Sequence, residues 1–285
     1  MNDTARNELA LRFGNIASEA GKVIMAIYSP SLKVHAKADG SPVSAADSAA
    51  ERVIIDSLKS VIPEVPVVAE ESFDAKTNGS APERFILVDP LDGTREFITG
   101  SHEFTVNIAL VENGKPVVGC VYAPALNQMY LAGAGAWRAE VKPGDALPQL
   151  DAMQKLATES YPPNGLRAMA SRSHLDPETE ALLKRLQVGT WKSAGSSLKF
   201  CMIAQGDGDI YPRLAPTMEW DTAAGHAVLT AAGGCVIGRD GSPFRYGKAG
   251  FRNDGFVAWG REPIILNADV LTAELETDEL HDRRR

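Results

Sequence analysis

From Phe104 to Ala123 the chain reads FTVNIALV, then Glu112-Asn113-Gly114-Lys115, then PVVGCVYA. Two β-rich runs that meet at Asn-Gly predict an antiparallel hairpin, because that dipeptide accepts the backbone of a tight reversal. The flanking residues leave the length of the loop open. A hairpin here excludes a plain succession of strand-helix-strand crossovers in the first half, which must be of mixed character. Met129 to Ala132 offers a further strand.

Around this hairpin the pattern alternates between helices and short apolar runs. Leu9, Phe13, Ile16, Ala20, Val23 and Ile27 recur every three or four residues and mark an amphipathic first helix. The turn-rich stretch from Lys37 to Asp47 leads into a second helix with Val53, Ile54 and Leu58 facing inward, closed off by Pro63 and Pro66. Two apolar runs then end in acids, Pro66 to Glu70 (PVVAE) and Phe85 to Asp89 (FILVD). A buried strand that delivers a carboxylate at its C-terminal end places that group on a rigid support. Residues 134 to 165 are polar and read as a junction between lobes, after which short β-prone runs alternate with helices up to a helix starting near Asp221. The expected division is an α+β lobe over 1–145 that carries most of the metal-binding acids, and an α/β lobe over 146–285.

The most informative segment is Asp89-Pro90-Leu91-Asp92-Gly93-Thr94. Pro90 restricts the backbone and Gly93 permits a tight turn, so Asp89 and Asp92 can approach one centre. Carboxylates that close repel unless protonated or bound to a cation. Magnesium, which takes carboxylate, carbonyl and water oxygens, is the natural counterion. Glu70 at the end of another strand and Asp221 near a helix start join the set, although Asp221 also has a plainer reading as an N-cap. His102 and His226 form no compact histidine cluster and are not assigned to an oxygen-rich centre.

Charge narrows the classes of partner. The chain has 285 residues, with 37 acidic against 29 basic side chains and a formal net charge of -8. That balance argues against polymeric nucleic acid and anionic membrane surfaces, but not against a small anionic substrate, since a divalent ion reverses the local potential in an acidic cleft. Cys120, Cys201 and Cys235 lack metal-ligand spacing and read as free thiols in a reducing compartment. The polar start MNDTARNELALRFGN and the lack of a long apolar run predict a cytoplasmic protein with no integral membrane partner; loose peripheral attachment at the inner membrane stays open.

Ala69-Glu70-Glu71-Ser72, Asp89 to Thr94 (DPLDGT) and Trp220 to Gly225 (WDTAAG) together resemble the inositol monophosphatase-like superfamily of lithium-sensitive, magnesium-dependent phosphatases. The resemblance runs from Lys37 through Gly234. It implies an α/β fold, a layered αβαβα sandwich of the inositol monophosphatase/fructose-1,6-bisphosphatase type. It implies two or three magnesium ions held by Glu70, Asp89, Asp92, Asp221 and the Leu91 carbonyl. By the same resemblance Asp47 holds water at a weaker metal position and Glu71 supports the ligands. Ser44 stands where the family usually has threonine. Direct hydrolysis follows, with Thr94 and either Asp47 or Glu70 directing the attacking water or taking its proton.

Within that superfamily, Lys37 to Val43, Glu103 to Leu110, Ser171 to His174, Gly195 to Phe200 (GSSLKF) and Tyr211-Pro212-Arg213 resemble the bacterial 3'(2'),5'-bisphosphate nucleotidase branch. This implies a small phosphorylated nucleotide substrate, adenosine 3',5'-bisphosphate, converted to AMP and phosphate, with similar action on its sulfated precursor. The substrate-contacting set is then Gly93, Thr94, His174, Ser196, Ser197, Lys199, Arg213 and Asp221. Lys199 and Arg213 match phosphate oxygens. Each also has a plainer role: Lys199 facing solvent from a helix, Ser196 capping that helix. An inositol or small sugar phosphatase and a noncatalytic nucleotide sensor are the alternatives, and both a monomer and a homodimer remain open.

Overall fold

The computed structural model describes residues 1–29, 42–74, 81–171, 176–186 and 188–264. Helix α1 (Asp3–Ile27) starts where the Asn2 side chain accepts a hydrogen bond from the Ala5 amide at 2.9 Å, satisfying a donor that the helix leaves free. Leu9, Phe13, Ile16, Ala20 and Ile24 form its buried stripe, while Val23 and Ile27 lie at its half-buried edge. Helix α2 (Pro42–Val61) opens on proline, whose missing N–H costs nothing in a first turn, and buries Ala46, Ala50, Ile54 and Leu58 at four-residue spacing.

The strands of the first sheet are β1 (Val67–Ala69), β2 (Arg84–Asp92), β3 (Thr105–Glu112), β4 (Lys115–Ala123), β5 (Gln128–Ala132), β6 (Ala136–Glu140) and β7 (Gln154–Leu156). They lie in chain order across the sheet. β1 runs parallel to β2, and every later pair is antiparallel. The predicted hairpin is β3–β4, and its loop is two residues: Glu112 pairs with Lys115, while Asn113 (φ 52°) and Gly114 (φ 73°) take the left-handed conformation of a type I′ reversal. Alternation sorts the sheet's two faces. Val106, Ile108 and Leu110 of β3 pack with α1 and α2, whereas Ala109 and Val111 face the other way, into the middle of the molecule.

The stretch 134–165, expected as a lobe junction, instead supplies β6 and β7 to the first sheet. These are short strands at one end of the sheet, β7 at its edge, with half-exposed or exposed Arg138, Glu140, Gln154 and Lys155, so no apolar run announces them. β7, ending at Leu156, still belongs to the first sheet, and β8 is the next strand and belongs to the second.

The second sheet contains β8 (Arg167–Ser171), β9 (Thr190–Ala194), β10 (Ile210–Arg213), β12 (Cys235–Gly238) and β14 (Phe256–Trp259), in the order β12-β14-β10-β8-β9; β11 (Thr217–Met218) and β13 (Arg252–Asn253) pair separately. β9, β8 and β10 are mutually parallel. Helices α5 (Leu198–Ala204) and α6 (Ala223–Ala231) fill the space between the sheets, and α4 (Pro177–Arg185) covers the far face of the second, where Leu182 and Leu183 pack with Leu166, Val257 and Trp259. The short α3 (Thr94–Ile98) follows β2. The layers therefore read α1/α2, sheet, α5/α6, sheet, α4: the αβαβα sandwich. At Gly119 on β4 a Cβ would lie 2.7 Å from the Ala227 Cβ and 2.8 Å from the Ala224 carbonyl oxygen, so glycine is what lets α6 rest directly on the first sheet. Among the described residues no helix is long and apolar enough to cross a membrane.

Candidate active site

Three chain segments carry acids to the seam between the lobes. β2 is apolar from Phe85 through Val88 and ends in Asp89, which is 1% exposed. Register with β3 slips between Asp89, opposite Asn107, and Asp92, opposite Thr105, so one extra residue bulges out of the strand. The Leu91 amide donates to Asp89 Oδ1 at 3.0 Å and fixes that bend. Gly93 then turns the chain into α3 at φ 96°, with Phe104 and the Glu103 carbonyl oxygen 3.3 Å from where a side chain would begin. Glu70 follows β1 directly, and its amide donates to the Val88 carbonyl oxygen at 3.2 Å, which sets it beside the end of β2.

Asp221 arrives from the second lobe. Helix α6 begins at Ala223 with Thr222 in the cap position, and the Asp221 carboxylate accepts from the Met218 amide (2.9 Å) rather than from the first turn of the helix. The N-cap alternative is thereby set aside. One carboxylate oxygen each from Glu70, Asp89 and Asp221 lies within 4.8 Å of the others. Asp92 lines the same cavity, with its Oδ2 held by the Ser197 amide at 2.7 Å.

Burial and mutual repulsion govern this cluster. Burial first, then the neighbouring Asp92, pushes Asp221 up to about 8. Glu70, open to solvent on one side, rises to about 7 for the same two reasons. Asp89 stands well above the usual carboxylate range through burial and its acidic neighbours. Asp92 also rises with burial, but Lys199 and Arg213 pull it back. Three clustered carboxylates, with a fourth on the same cavity wall, form an oxygen donor set suited to a hard divalent cation, whose charge would offset their mutual repulsion.

Asp47 on α2 is buried but does not line the cavity. Burial, then Glu71, Glu70 and Glu51, raises it to about 8. Glu71 donates its amide to Glu51 at 2.9 Å, away from the cleft. Thr94 sits exposed at the lip as the first residue of α3.

The opposite wall comes from the second lobe. Parallel β8 and β9 end side by side, Ser171 against Ala194, and Arg213 ends β10, which obeys the rule that ligands gather at the C-terminal ends of parallel strands. The cavity, about 330 Å³, is lined there by Ser196, Lys199, Phe200, Tyr211 and Arg213. Lys199 is 2% exposed, and its ammonium donates to the carbonyl oxygens of Ser196 (2.7 Å) and Ala194 (3.1 Å) beneath the Tyr211 ring. Burial lowers it to about 8, against the pull of Asp92. It does not face solvent. Ser196 is held at φ 46° with its hydroxyl buried and without a protein partner, and makes no cap bond. Such strain gathers where a ligand is gripped. Ser197 departs from its expected ligand contact: it is 2% exposed, lies off the cavity wall, and donates its hydroxyl to the Asp221 carbonyl oxygen at 2.6 Å. His174 lies outside the described residues.

Sequence reasoning passed over three contributors. Arg95 and Thr217 line the cavity, and Glu103 accepts from the Gly195 amide at 2.8 Å. It also gave no role to Asn107, although a carboxamide inside the apolar run TVNIALV is a signal, since buried polar groups need partners.

The five layers thus enclose an oxygen-rich cleft at their seam. A family model for the inositol monophosphatase family matches residues 7–265. The 3'(2'),5'-bisphosphate nucleotidase CysQ of Escherichia coli (strain K12) is 45% identical over 245 residues, 85% of this chain and 95% of that protein. The enzyme of the same name from Buchnera aphidicola is 37% identical over 252 residues, 85% of this chain and 90% of its own. Among solved structures, CysQ from Bacteroides thetaiotaomicron superposes with a TM-score of 0.79 at 38% identity, covering 90% of this chain and 98% of its own. An inositol monophosphatase from Zymomonas mobilis shares the fold at a TM-score of 0.72 and 23% identity, covering 90% and 94%. The chain belongs to the inositol monophosphatase family.

Proposed function

We propose that this protein is a magnesium-dependent phosphatase that removes the 3'-phosphate of adenosine 3',5'-bisphosphate, giving AMP and phosphate. The observation that carries the reading is the polarity of a single cavity: Glu70, Asp89, Asp92 and Asp221 on one wall, Lys199 and Arg213 on the other. A bisphosphate needs both, one phosphate at the acids through a metal and the other at the cations. Relatives at 45% and 37% identity that bear the name 3'(2'),5'-bisphosphate nucleotidase support the same substrate.

Glu70, Asp89, Asp92, Asp221 and the Leu91 carbonyl would hold magnesium, which when bound neutralises the carboxylates and polarises the phosphoryl group. Thr94 directs the attacking water from the start of α3. Glu70, on the cavity wall, is better placed than Asp47 to take the water's proton. The water oxygen bonds to phosphorus, the phosphorus bond to the ribose 3' oxygen breaks, and that oxygen takes up a proton from solvent to leave as a hydroxyl, while Glu70 later returns its proton to solvent. Lys199 and Arg213 bind the 5'-phosphate and fix which ester faces the acids.

The test is phosphate release from adenosine 3',5'-bisphosphate, adenosine 3'-monophosphate and inositol monophosphate at fixed magnesium. The expected order of kcat/KM places the bisphosphate first by at least tenfold. Equal values for the bisphosphate and the inositol ester would show that the cationic wall selects nothing.

A further inference from the structure

On β3 the side chains facing the middle layer are Thr105, Asn107, Ala109 and Val111. The last two join the apolar core, but Thr105 and Asn107 are polar and almost wholly buried, at 0% and 1% exposure. An amide in that position costs stability unless its bonds are satisfied, and a valine or leucine would suit the layer better. Its bonds run across the seam. Asn107 Oδ1 accepts from the Thr105 hydroxyl at 3.1 Å, and Nδ2 donates to the Ser197 hydroxyl at 3.0 Å, with Asp92 Oδ2 at 3.4 Å. Ser197 in turn donates its hydroxyl to the Asp221 carbonyl oxygen (2.6 Å) and its amide to Asp92 Oδ2 (2.7 Å). Asn107 and the Ser197 amide thus both contact Asp92 at Oδ2.

We propose that Asn107 is a positioning residue for the metal centre: through Ser197 it clasps Asp92 of the first lobe to Asp221 of the second, holding acids from two separately folded sheets at one spacing. The proposal rests on the reading that Asp92 and Asp221 hold magnesium. Groups that orient ligands in this way typically contribute about 10- to 100-fold in metal affinity or activity.

The experiment is magnesium binding by calorimetry to the substrate-free protein, for wild type, Asn107→Leu, Ser197→Ala and the double variant. Asn107→Leu is expected to raise the magnesium Kd about tenfold or more, while KM for the nucleotide at saturating magnesium changes less than twofold. Ser197→Ala, which keeps the amide bond to Asp92 but cuts the links to Asn107 and Asp221, is expected to raise Kd severalfold. The double variant should be no weaker than the weaker single, because the two residues act in one chain of bonds. A lower Tm in chelator with an unchanged magnesium Kd would make Asn107 a packing residue and overturn the proposal. If Asn107→Leu does not fold, an unchanged Kd in Ser197→Ala overturns it. Wild-type protein that takes up no magnesium would overturn the functional reading beneath it, and this proposal with it.

Discussion

Replacing Asp221 by asparagine should make the metal-free protein more stable and the magnesium-loaded protein less so. Asp221 has an ordinary value of 3.8 and is pushed to about 8 in the folded chain. Its folded pKa therefore stands above its unfolded one. The stability it contributes is fully present below pH 4 and is lost as the pH rises toward 8. At pH 7 the unfolded chain is favoured by ionisation of this acid over about three pH units, at about 1.4 kcal/mol each, and solvent at the open side of the half-buried Asp221 trims that to about 2 to 4 kcal/mol. Asparagine removes this cost while its side-chain oxygen still accepts from the Met218 amide. In chelator at pH 7.5, Asp221→Asn should melt about 4 to 8 °C above wild type, with the gain shrinking as the pH falls and gone only below the ordinary value of 3.8. With excess magnesium the order should invert, because binding to the folded state alone stabilises wild type. Thermal denaturation in EDTA and in magnesium across that pH range is the assay. A variant less stable than wild type in EDTA at pH 7.5, or a gain indifferent to pH, refutes the account of the cluster as uncompensated charge.

Lys199→Met keeps the length of the stem and removes the ammonium; it should raise KM for the bisphosphate about tenfold or more, the size of a charge-assisted hydrogen bond, and affect a single-phosphate ester less. Because burial lowers Lys199 to about 8, the wild-type KM for the bisphosphate should climb above pH 8 as the ammonium loses its proton, and a flat profile in KM would remove Lys199 from the phosphate site. Gly119→Ala should destabilise by about 1 to 3 kcal/mol through overpacking of α6 on β4, read as a lower denaturation midpoint with an unchanged urea m-value; an unshifted midpoint would mean that α6 can lift away freely.

Elements governed by their own residues were legible in the sequence. The stripe of α1, the Asn113-Gly114 reversal and the apolar runs ending in Glu70 and Asp89 each carry a local pattern. What failed was local pattern without burial, and burial decided from far away. β6 and β7 belong to the first sheet although their half-polar strands show no apolar run, because β6 pairs with β5 and β7 with β6. Ser197 entered the expected contact set through the resemblance of GSSLKF, yet it is buried and turned into the seam, bonded to the Asp221 carbonyl. Asn107 was readable as a polar residue in an apolar strand, but its partner is 90 residues away, and no spacing rule announces that. The acids themselves were legible as a set, while their meeting depends on the two sheets being stacked around α5 and α6.

That stacking has a consequence for how such a protein can change. Three of the four cavity acids, Glu70, Asp89 and Asp92, sit at the ends of β1 and β2, whereas Ser196 and Lys199, on the turn and helix after β9, and Arg213, at the end of β10, belong to the other half. On the proposed function, most of the acids that would hold the metal and the groups that would choose the molecule thus occupy different halves, which meet where α6 packs on β4. Mutation at the tips of β8, β9 and β10 can retune molecular preference while the hydrolytic half is inherited intact, a division of labour by which one scaffold diversifies without relearning its chemistry.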